Sequence, residues 1–187
     1  MEHKDIVKSL DTLKKGKLLL YPTDTIWGIG CDATNFNAVK RLYQLKQRED
    51  SKTMICLVDS IKMLNQFIEE VPEAAYTILK YASNPTTIIY DRPIHVSENL
   101  IALDNSLAIR IVQSGFCNEL VKRFKKPIVS TSANISGRAT PKTYKEIETD
   151  ILKGVDYIVN LNRESSAAAP STVIKLRNNG EVKVIRP

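Results

Sequence analysis

The chain has 187 residues, of which 43% are hydrophobic and 26% charged, as is usual for a globular protein that buries its own core. Its net charge of +6 favours anionic partners, such as a nucleotide, pyrophosphate or RNA. No stretch resembles a signal peptide or approaches the roughly 20 apolar residues that cross a bilayer, so we expect a soluble, cytoplasmic protein with no membrane partner.

The cysteines and histidines disfavour two common kinds of site. Cys31, Cys56 and Cys117 form no Cys-x-x-Cys pair, and His3 and His95 lie far from them in the sequence. We therefore predict free thiols that are buried or half-buried, with neither a disulfide framework nor a metal site. No cysteine has a nearby histidine, which disfavours a catalytic thiol.

The first two thirds of the chain predict a mixture of helices and strands. Apolar residues recur at helical spacing over residues 3–15, and the stretch KLLLY at 17–21 predicts a strand. Asn35 or Asn37 can cap a second helix that ends near residues 46–48. The remaining predictions are helices over 72–82 and 115–125, and strands over 54–58, 86–90, 107–112 and 127–131.

The last third completes the predicted fold. Pro141 suits the first turn of a helix over residues 141–152, and strands are predicted over 157–160, 172–176 and 181–186. The strands do not alternate strictly with helices, which favours a mixed sheet over a purely parallel one. The sequence thus predicts one α/β (or α+β) domain over residues 1–187, with a twisted mixed sheet flanked by helices.

The loop after the first strand, YPTDTIWGIGCDAT at 21–34, has more polar side chains than a turn requires. A simple hairpin would use Asn-Gly or Asp-Gly, whereas this loop places Thr23, Asp24 and Thr25 after a proline. Gly28-Ile29-Gly30 lacks the third glycine of a dinucleotide fingerprint, and the sequence contains no P-loop motif. Any bound phosphate must therefore be held by side chains.

Two polar segments offer such side chains. Lys46, Arg48 and Lys52 follow the second helix and could hold a polyphosphate, although spacing alone favours solvated residues that complement the helix dipole. In PIVSTSANISGRATP at 127–141, hydroxyls and an amide cluster at the carboxyl end of a predicted strand, where ligands often bind. An ordinary loop that satisfies its own backbone is an equal alternative there.

Three motifs, in the order PTDTIWGIGCDAT, LKQR and STSANISG, give the chain a specific resemblance. From residue 17 to residue 186 it resembles the YrdC-like threonylcarbamoyl-AMP synthase family, of the single-domain type. The resemblance implies a YrdC-like fold with a basic concave cleft. It also implies a nucleotidyltransferase that joins L-threonine, bicarbonate and ATP, and a partner machinery that transfers the threonylcarbamoyl group to tRNA.

The resemblance also implies roles for individual residues. Lys46 and Arg48 match the Lys-x-Arg pair, for which we expect a catalytic role. ATP-binding positions of the family are matched by Lys46, Arg48, Lys52, Ser106, Ser132, Asn134, Thr140 and Arg186. Threonine-binding positions are matched by Thr25, Arg110, Ser130 and Ser171.

The same resemblance gives the opening loop a purpose. The hydroxyls of Thr23 and Thr25 would turn into the cleft to receive threonine, and Gly28 and Gly30 would let the backbone approach closely. The alternative is that these threonines only cap the turn, which is more probable for Thr23, and Asp24 could anchor the loop. We expect Mg²⁺ to enter with ATP, held by phosphate oxygens and water, and we expect no protein nucleophile.

Two other functions are compatible with the sequence. An RNA-binding module of the same fold would use the positive charge, including KRFKK at 122–126, without synthase activity. A paralogue could perform other nucleotide or acyl-phosphate chemistry, but the intact pair of Lys46 and Arg48 argues against it.

Overall fold

The computed structural model describes residues 2–48, 54–161, 163–164 and 170–187. The helices in these residues are α1 (Glu2–Lys14), α2 (Phe36–Lys46), α3 (Ile61–Leu64), α4 (Glu73–Tyr81), α5 (Gly115–Phe124) and α6 (Thr149–Gly154). The strands are β1 (Leu19–Pro22), β2 (Trp27–Gly30), β3 (Ile55–Val58), β4 (Thr86–Asp91), β5 (Ser106–Ile111), β6 (Ile128–Ser132), β7 (Tyr157–Ile158), β8 (Thr172–Leu176) and β9 (Val182–Arg186).

All of these strands join one open, mixed sheet in the order β7-β1-β2-β6-β3-β5-β4-β8-β9. The pairs β1/β7, β3/β5 and β4/β8 are parallel, and the other neighbours are antiparallel. Helices α1 and α5 pack on each other, and they contact β1 and β3 respectively. The predicted mixed sheet with flanking helices is therefore confirmed. In the described residues, no helix has the length and apolar character needed to cross a bilayer.

The three thiols lie inside the core, as the sequence predicted. Cys31, Cys56 and Cys117 are at most 3% exposed, and each is free. Burial in apolar surroundings disfavours the thiolate and raises the pKa of Cys56 and that of Cys117 to about 12. These thiols are therefore protonated at neutral pH and serve as small apolar side chains.

The predicted helix over residues 141–152 is wrong. A single 3₁₀ turn forms at Tyr144–Glu146, and α6 begins only at Thr149. The carboxylate of Glu146 accepts hydrogen bonds from the backbone N–H of Lys142 at 2.8 Å and from the Thr143 hydroxyl at 3.1 Å. These local bonds close a turn where a helix would have started, because side chains here compete with the backbone for hydrogen bonds.

Two elements lie where no helix or strand was predicted, and one strand is shorter than predicted. Strand β2 lies within the loop at 21–34, and the short helix α3 follows β3. Strand β7 has two residues, whereas four were predicted over 157–160. The hairpin of β8 and β9 is confirmed.

Strand β2 lies between β1 and β6 because its glycines leave space for the neighbouring backbone. A Cβ atom on Gly30 would lie 2.2 Å from the carbonyl oxygen of Val129, which no real contact allows. A Cβ atom on Gly28 would lie 3.1 Å from the hydroxyl oxygen of Ser130, which can move slightly. The predicted close approach of backbone is thus found at Gly30, whereas the nearest atoms at Gly28 belong to side chains.

Gly30→Ala should therefore lower the free energy of unfolding by about 3 kcal/mol, because the new methyl group collides with backbone that cannot move alone. Gly28→Ala is the matched control and should cost less than about 1 kcal/mol. Urea denaturation of both variants measures the difference. Equal stabilities would contradict the packing described here.

Candidate active site

A cavity of about 770 Å³ lies over the middle of the sheet. The described residues in its wall include four cationic side chains and no carboxylate: Arg48, Arg110, Lys142 and Arg186. Hydroxyl groups and backbone from the β1–β2 turn and from the end of β6 also line the cavity. A volume of this size is typical of sites that hold small organic ligands.

Eight of the predicted site residues lie in this wall. They are Thr25, Arg48, Arg110, Ser130, Ser132, Thr140, Ser171 and Arg186. They come from distant parts of the chain, and the fold brings them together around one space. Of the other four, Lys52 lies outside the described residues, and Lys46, Ser106 and Asn134 do not line the cavity.

Lys46 is buried beneath the site and holds the turn that follows β6. Its side chain is on the buried stripe of α2, and the residue is 1% exposed. The Nζ atom donates hydrogen bonds to the carbonyl oxygens of Ser132 at 2.5 Å and of Asn134 at 2.7 Å. Burial, with a smaller contribution from the charge of Arg48, lowers the pKa of Lys46 to about 7. In this structure Lys46 therefore supports the turn and does not face the cavity.

Arg48 reaches the cavity because the chain turns sharply after α2. Gln47 caps the helix in the left-handed conformation, with φ at 50°. The backbone N–H of Arg48 then donates to the carbonyl oxygen of Tyr43 at 3.1 Å, which fixes the exit of the chain. Burial lowers the pKa of Arg48, but a guanidinium stays charged at neutral pH. Of the predicted pair, the cation in the cavity wall is thus Arg48.

The β1–β2 turn is built around the hydroxyl group of Thr23. Its Oγ1 atom accepts hydrogen bonds from the backbone N–H groups of Thr25 and Ile26, at 3.0 and 3.1 Å. It also donates to the carbonyl oxygen of Ile26 at 2.7 Å. Thr23 therefore caps the turn and also lines the cavity. Among the hydrogen bonds of the described residues, the Thr25 hydroxyl has one partner, the Thr23 hydroxyl at 3.0 Å.

Arg110 is a buried cation in the wall of the cavity. It is 4% exposed, and its Nη2 atom donates to Oδ1 of Asp24 at 2.9 Å. Its Nε atom is buried and has no hydrogen-bond partner in the described residues. Arg110 therefore makes one hydrogen bond in the described residues, to Asp24, although its guanidinium has five N–H donors.

Ser171 and Arg186 are joined at the other side of the cavity. The guanidinium of Arg186 donates from Nε and Nη2 to the carbonyl oxygen of Ser171, at 2.9 and 2.7 Å. The hydroxyl of Ser171 lies 2.9 Å from that of Thr87. The last residue of β9 is thereby fixed next to the start of β8, so its charge stays at the cavity.

Comparison with known proteins assigns the chain to a family. The family model for Sua5, YciO and YrdC, described as "Telomere recombination", matches residues 11–187. The chain belongs to this family. It is 32% identical over 181 residues to a putative threonylcarbamoyl-AMP synthase of Methanocaldococcus jannaschii, covering 95% of this chain and 84% of that protein.

Solved structures of the Sua5/YciO/YrdC family show the same fold. Sua5 of P. abyssi, crystallised as a complex with L-threonine, superposes with a TM-score of 0.83 at 27% identity. That match covers 94% of this chain and 52% of the Sua5 chain, so our chain spans about half of it. YciO of E. coli superposes with a TM-score of 0.83 over all of this chain and 89% of its own, at 22% identity, which supports the fold alone.

Asn134 and Ser106, which were predicted to bind ATP, are placed away from the cavity wall. The Nδ2 atom of Asn134 donates to the carbonyl oxygens of Ile135 and Arg138, at 3.1 and 2.7 Å, so this side chain stabilises its own turn. Ser106 donates to Oδ1 of Asp104 at 2.6 Å. It begins β5 four residues before Arg110, roughly 13 Å away at the rise of a strand. The structure does not bring Ser106 to the cavity.

Sequence reasoning did not predict Lys142, which lines the cavity, or Asp24, which contacts the cavity residue Arg110, as functional residues. Asp24 and its partner Arg110 are 86 residues apart in the chain, and no local pattern indicates the pair. In the described ranges, no group of three or more His, Cys, Asp or Glu residues is placed to hold a metal ion.

Lys46→Met should destabilise the protein by about 1–3 kcal/mol, because two carbonyl groups of the turn lose their donor. Ser132 would also lose its fixed position in the cavity wall, so activity should fall with stability. Lys40→Met, on the exposed face of the same helix, is the matched control and should be near wild type. Urea denaturation measures the difference; a Lys46→Met variant as stable as the control would contradict the role described here.

The same lysine makes stability depend on pH in a predictable direction. The folded chain releases the Lys46 proton from about pH 7, whereas the unfolded chain keeps it up to the ordinary pKa of 10.5. Between these values the unfolded state binds more protons, so stability rises with pH, by up to about 1.4 kcal/mol per unit. Unfolding measured across this range should show the rise in wild type relative to Lys46→Met. A constant difference would contradict the lowered pKa.

Proposed function

We propose that this chain is an L-threonylcarbamoyladenylate synthase. It would form threonylcarbamoyl-AMP and pyrophosphate from L-threonine, bicarbonate and ATP, and so act as a nucleotidyltransferase in tRNA modification. The proposal rests first on the cavity, whose wall has four cations and no carboxylate in the described residues. The similarity to a putative synthase over nearly the whole chain supports it.

The charge of the cavity suits the proposed substrates because both are anionic. Threonine carbamate carries two negative charges and ATP carries more, so their reacting groups repel each other in water. Cations fixed around one cavity offset this repulsion and stabilise the charge that develops on the leaving pyrophosphate. Arg48 and Arg186 are the fixed guanidinium groups that we assign to the phosphates of ATP, with Lys52 as a further contact.

The rest of the nucleotide would lie along the segment after β6. Ser132 and Thr140 both line the cavity and offer hydroxyl groups for this purpose. Lys46 and Asn134 would act on the nucleotide indirectly, through the turn that positions Ser132. We retain Ser106 as a family-based expectation only, since it lies at the other end of β5.

L-Threonine would bind against Arg110. The guanidinium would pair with the amino acid carboxylate, and the hydroxyls of Thr25, Ser130 and Ser171 would surround the rest of the molecule. The four residues line the same cavity as Arg48, so the two substrates would meet inside it. The L-threonine complex of the P. abyssi relative supports an amino acid site in this fold.

The reaction needs positioning and charge stabilisation more than it needs a protein nucleophile. The amine of threonine combines with bicarbonate, with loss of water, to give a carbamate. A carbamate oxygen then bonds to the α-phosphorus of ATP, and the bond from that phosphorus to the bridging oxygen breaks, which releases pyrophosphate. Mg²⁺ would accompany the phosphates with water as its other ligand, because no protein carboxylate lines the described wall.

The product, threonylcarbamoyl-AMP, would be the substrate of a second enzyme system. Threonylcarbamoyl-AMP is an activated acyl group that hydrolyses readily, so we propose that a separate cytoplasmic transfer machinery moves it onto tRNA. This chain would make the activated group and would not itself modify the tRNA.

The RNA-binding alternative has weaker support. Its segment KRFKK at 122–126 begins in the last turn of α5 and ends two residues beyond the helix, and two of its cations are already paired. Arg123 pairs with Glu119, and Lys126 pairs with Asp32 at 2.9 Å. These pairs reduce the charge that this surface offers to a phosphate backbone.

The proposed function is tested by incubating the protein with ATP, Mg²⁺, bicarbonate and L-threonine while following pyrophosphate and the adenylate product. We expect product that requires threonine and bicarbonate. Arg48→Ala should lower the rate about 10²- to 10³-fold, as removal of one charge-stabilising donor commonly does. Arg123→Ala, which removes an exposed arginine of α5, should leave the rate unchanged.

A well-folded protein that forms no product under these conditions would overturn the synthase assignment. If that protein bound structured RNA with a strong dependence on salt, the RNA-binding alternative would replace it.

A further inference from the structure

Arg110 and Asp24 form an ion pair whose two partners face different spaces. Arg110 lines the cavity described above, whereas Asp24 lines a second cavity of about 610 Å³. Their contact, from Nη2 to Oδ1 at 2.9 Å, lies between the two cavities. The carboxylate therefore reaches Arg110 from the side away from the proposed substrates.

The environment of Arg110 requires a counterion. The Arg110 side chain is 5% exposed, and a buried guanidinium without an opposite charge is costly. The Asp24 side chain is 33% exposed and stays well hydrated, so it supplies the charge at little desolvation cost. The pair can thus persist whether or not the first cavity holds a ligand.

The backbone around Asp24 is fixed by its neighbour. Thr23 accepts from the N–H groups on the far side of the turn and donates to the carbonyl oxygen of Ile26. Asp24 lies at the tip of this closed turn, and its carboxylate is held by the hydrogen bond from Arg110. A fixed carboxylate on Nη2 in turn orients the guanidinium plane, because an arginine fork hydrogen-bonds in few directions.

The cations of the first cavity therefore differ in charge compensation. Arg110 is paired with a carboxylate, whereas the hydrogen bonds of Arg186 go to uncharged oxygens of Ser171 in the described residues. A compensated guanidinium attracts a polyphosphate less than an uncompensated one does, but it still donates directional hydrogen bonds. A compensated guanidinium such as that of Arg110 is therefore suited to bind one carboxylate rather than a polyphosphate.

We propose that Asp24 is a positioning residue that orients Arg110 and reserves it for the carboxylate of the amino acid substrate. The inference rests on the proposed function, because it assigns Arg110 to threonine. Asp24 would keep pyrophosphate and the phosphates of ATP away from Arg110 without touching either substrate. Asp24 would thus direct the amino acid carboxylate to Arg110 and the phosphates to the other cations of the same cavity.

The test is calorimetric titration of L-threonine, with and without pyrophosphate, into wild type, Asp24→Asn and Asp24→Ala. Asp24→Ala removes the hydrogen bond and should weaken threonine binding about tenfold. Asp24→Asn keeps an acceptor and loses only the charge, so threonine affinity without pyrophosphate should stay within about threefold of wild type. Pyrophosphate should then weaken threonine binding to Asp24→Asn about fivefold or more, but leave wild type nearly unchanged.

The controls separate this role from a general loss of structure. Glu119→Gln, which removes the carboxylate partner of the exposed Arg123, should change neither measurement. Asp24→Glu keeps a negative charge at this position, so its threonine binding should resist pyrophosphate as that of wild type does, unlike that of Asp24→Asn. Wild-type affinity in Asp24→Ala, or pyrophosphate resistance in Asp24→Asn, would overturn the inference. Failure of wild type to bind threonine at all would instead overturn the proposed function, and the inference with it.

Discussion

The arrangement of the site depends on one buried amino group, that of the Lys46 side chain. The Nζ atom of Lys46 lies between α2 and the end of β6 and donates to two carbonyl groups that are two residues apart in the chain, those of Ser132 and Asn134. The backbone carbonyl of Lys46 also accepts from the N–H of Ser136 at 2.8 Å. One residue thus ties the helix to the turn through both its main chain and its side chain. The position of Arg48, two residues later, is set relative to that turn.

The sheet gives the cavity its floor. Four adjacent strands, β2, β6, β3 and β5, contribute Gly28, Ser130, Ile55 and Arg110 to it. Ile55 pairs in register with Ser130 on one side and with Ala108 on the other. Gly28 has no side chain to occupy the space beside Ser130. A larger side chain at position 28 would therefore extend into the space beside Ser130.

Sequence reasoning located most of the strands, but it could not assign the role of Lys46. Segments rich in Ile and Val, such as β4 and β5, were predicted from composition because these residues favour strands. Strand β2 was missed because two of its four residues are glycine. A signal for Lys46 did exist: it follows Val39 and Leu42 at helical spacing, so it continues the buried stripe of α2. Its two carbonyl partners, 86 and 88 residues away, were not predictable from any local pattern.

The chemistry that the cavity supports depends on which reactive groups are buried in the core and which groups line the wall. Burial raises the pKa of Cys56 and that of Cys117 to about 12, and Cys117 donates its proton to the carbonyl oxygen of Pro22 at 3.4 Å. Neither thiol can offer a thiolate at neutral pH. The described wall instead presents guanidinium groups and hydroxyls, which stabilise anions and do not readily attack phosphorus. Such a site favours a reaction in which one bound substrate attacks the other. Its contribution to the rate then lies in how accurately the fold holds two anions together.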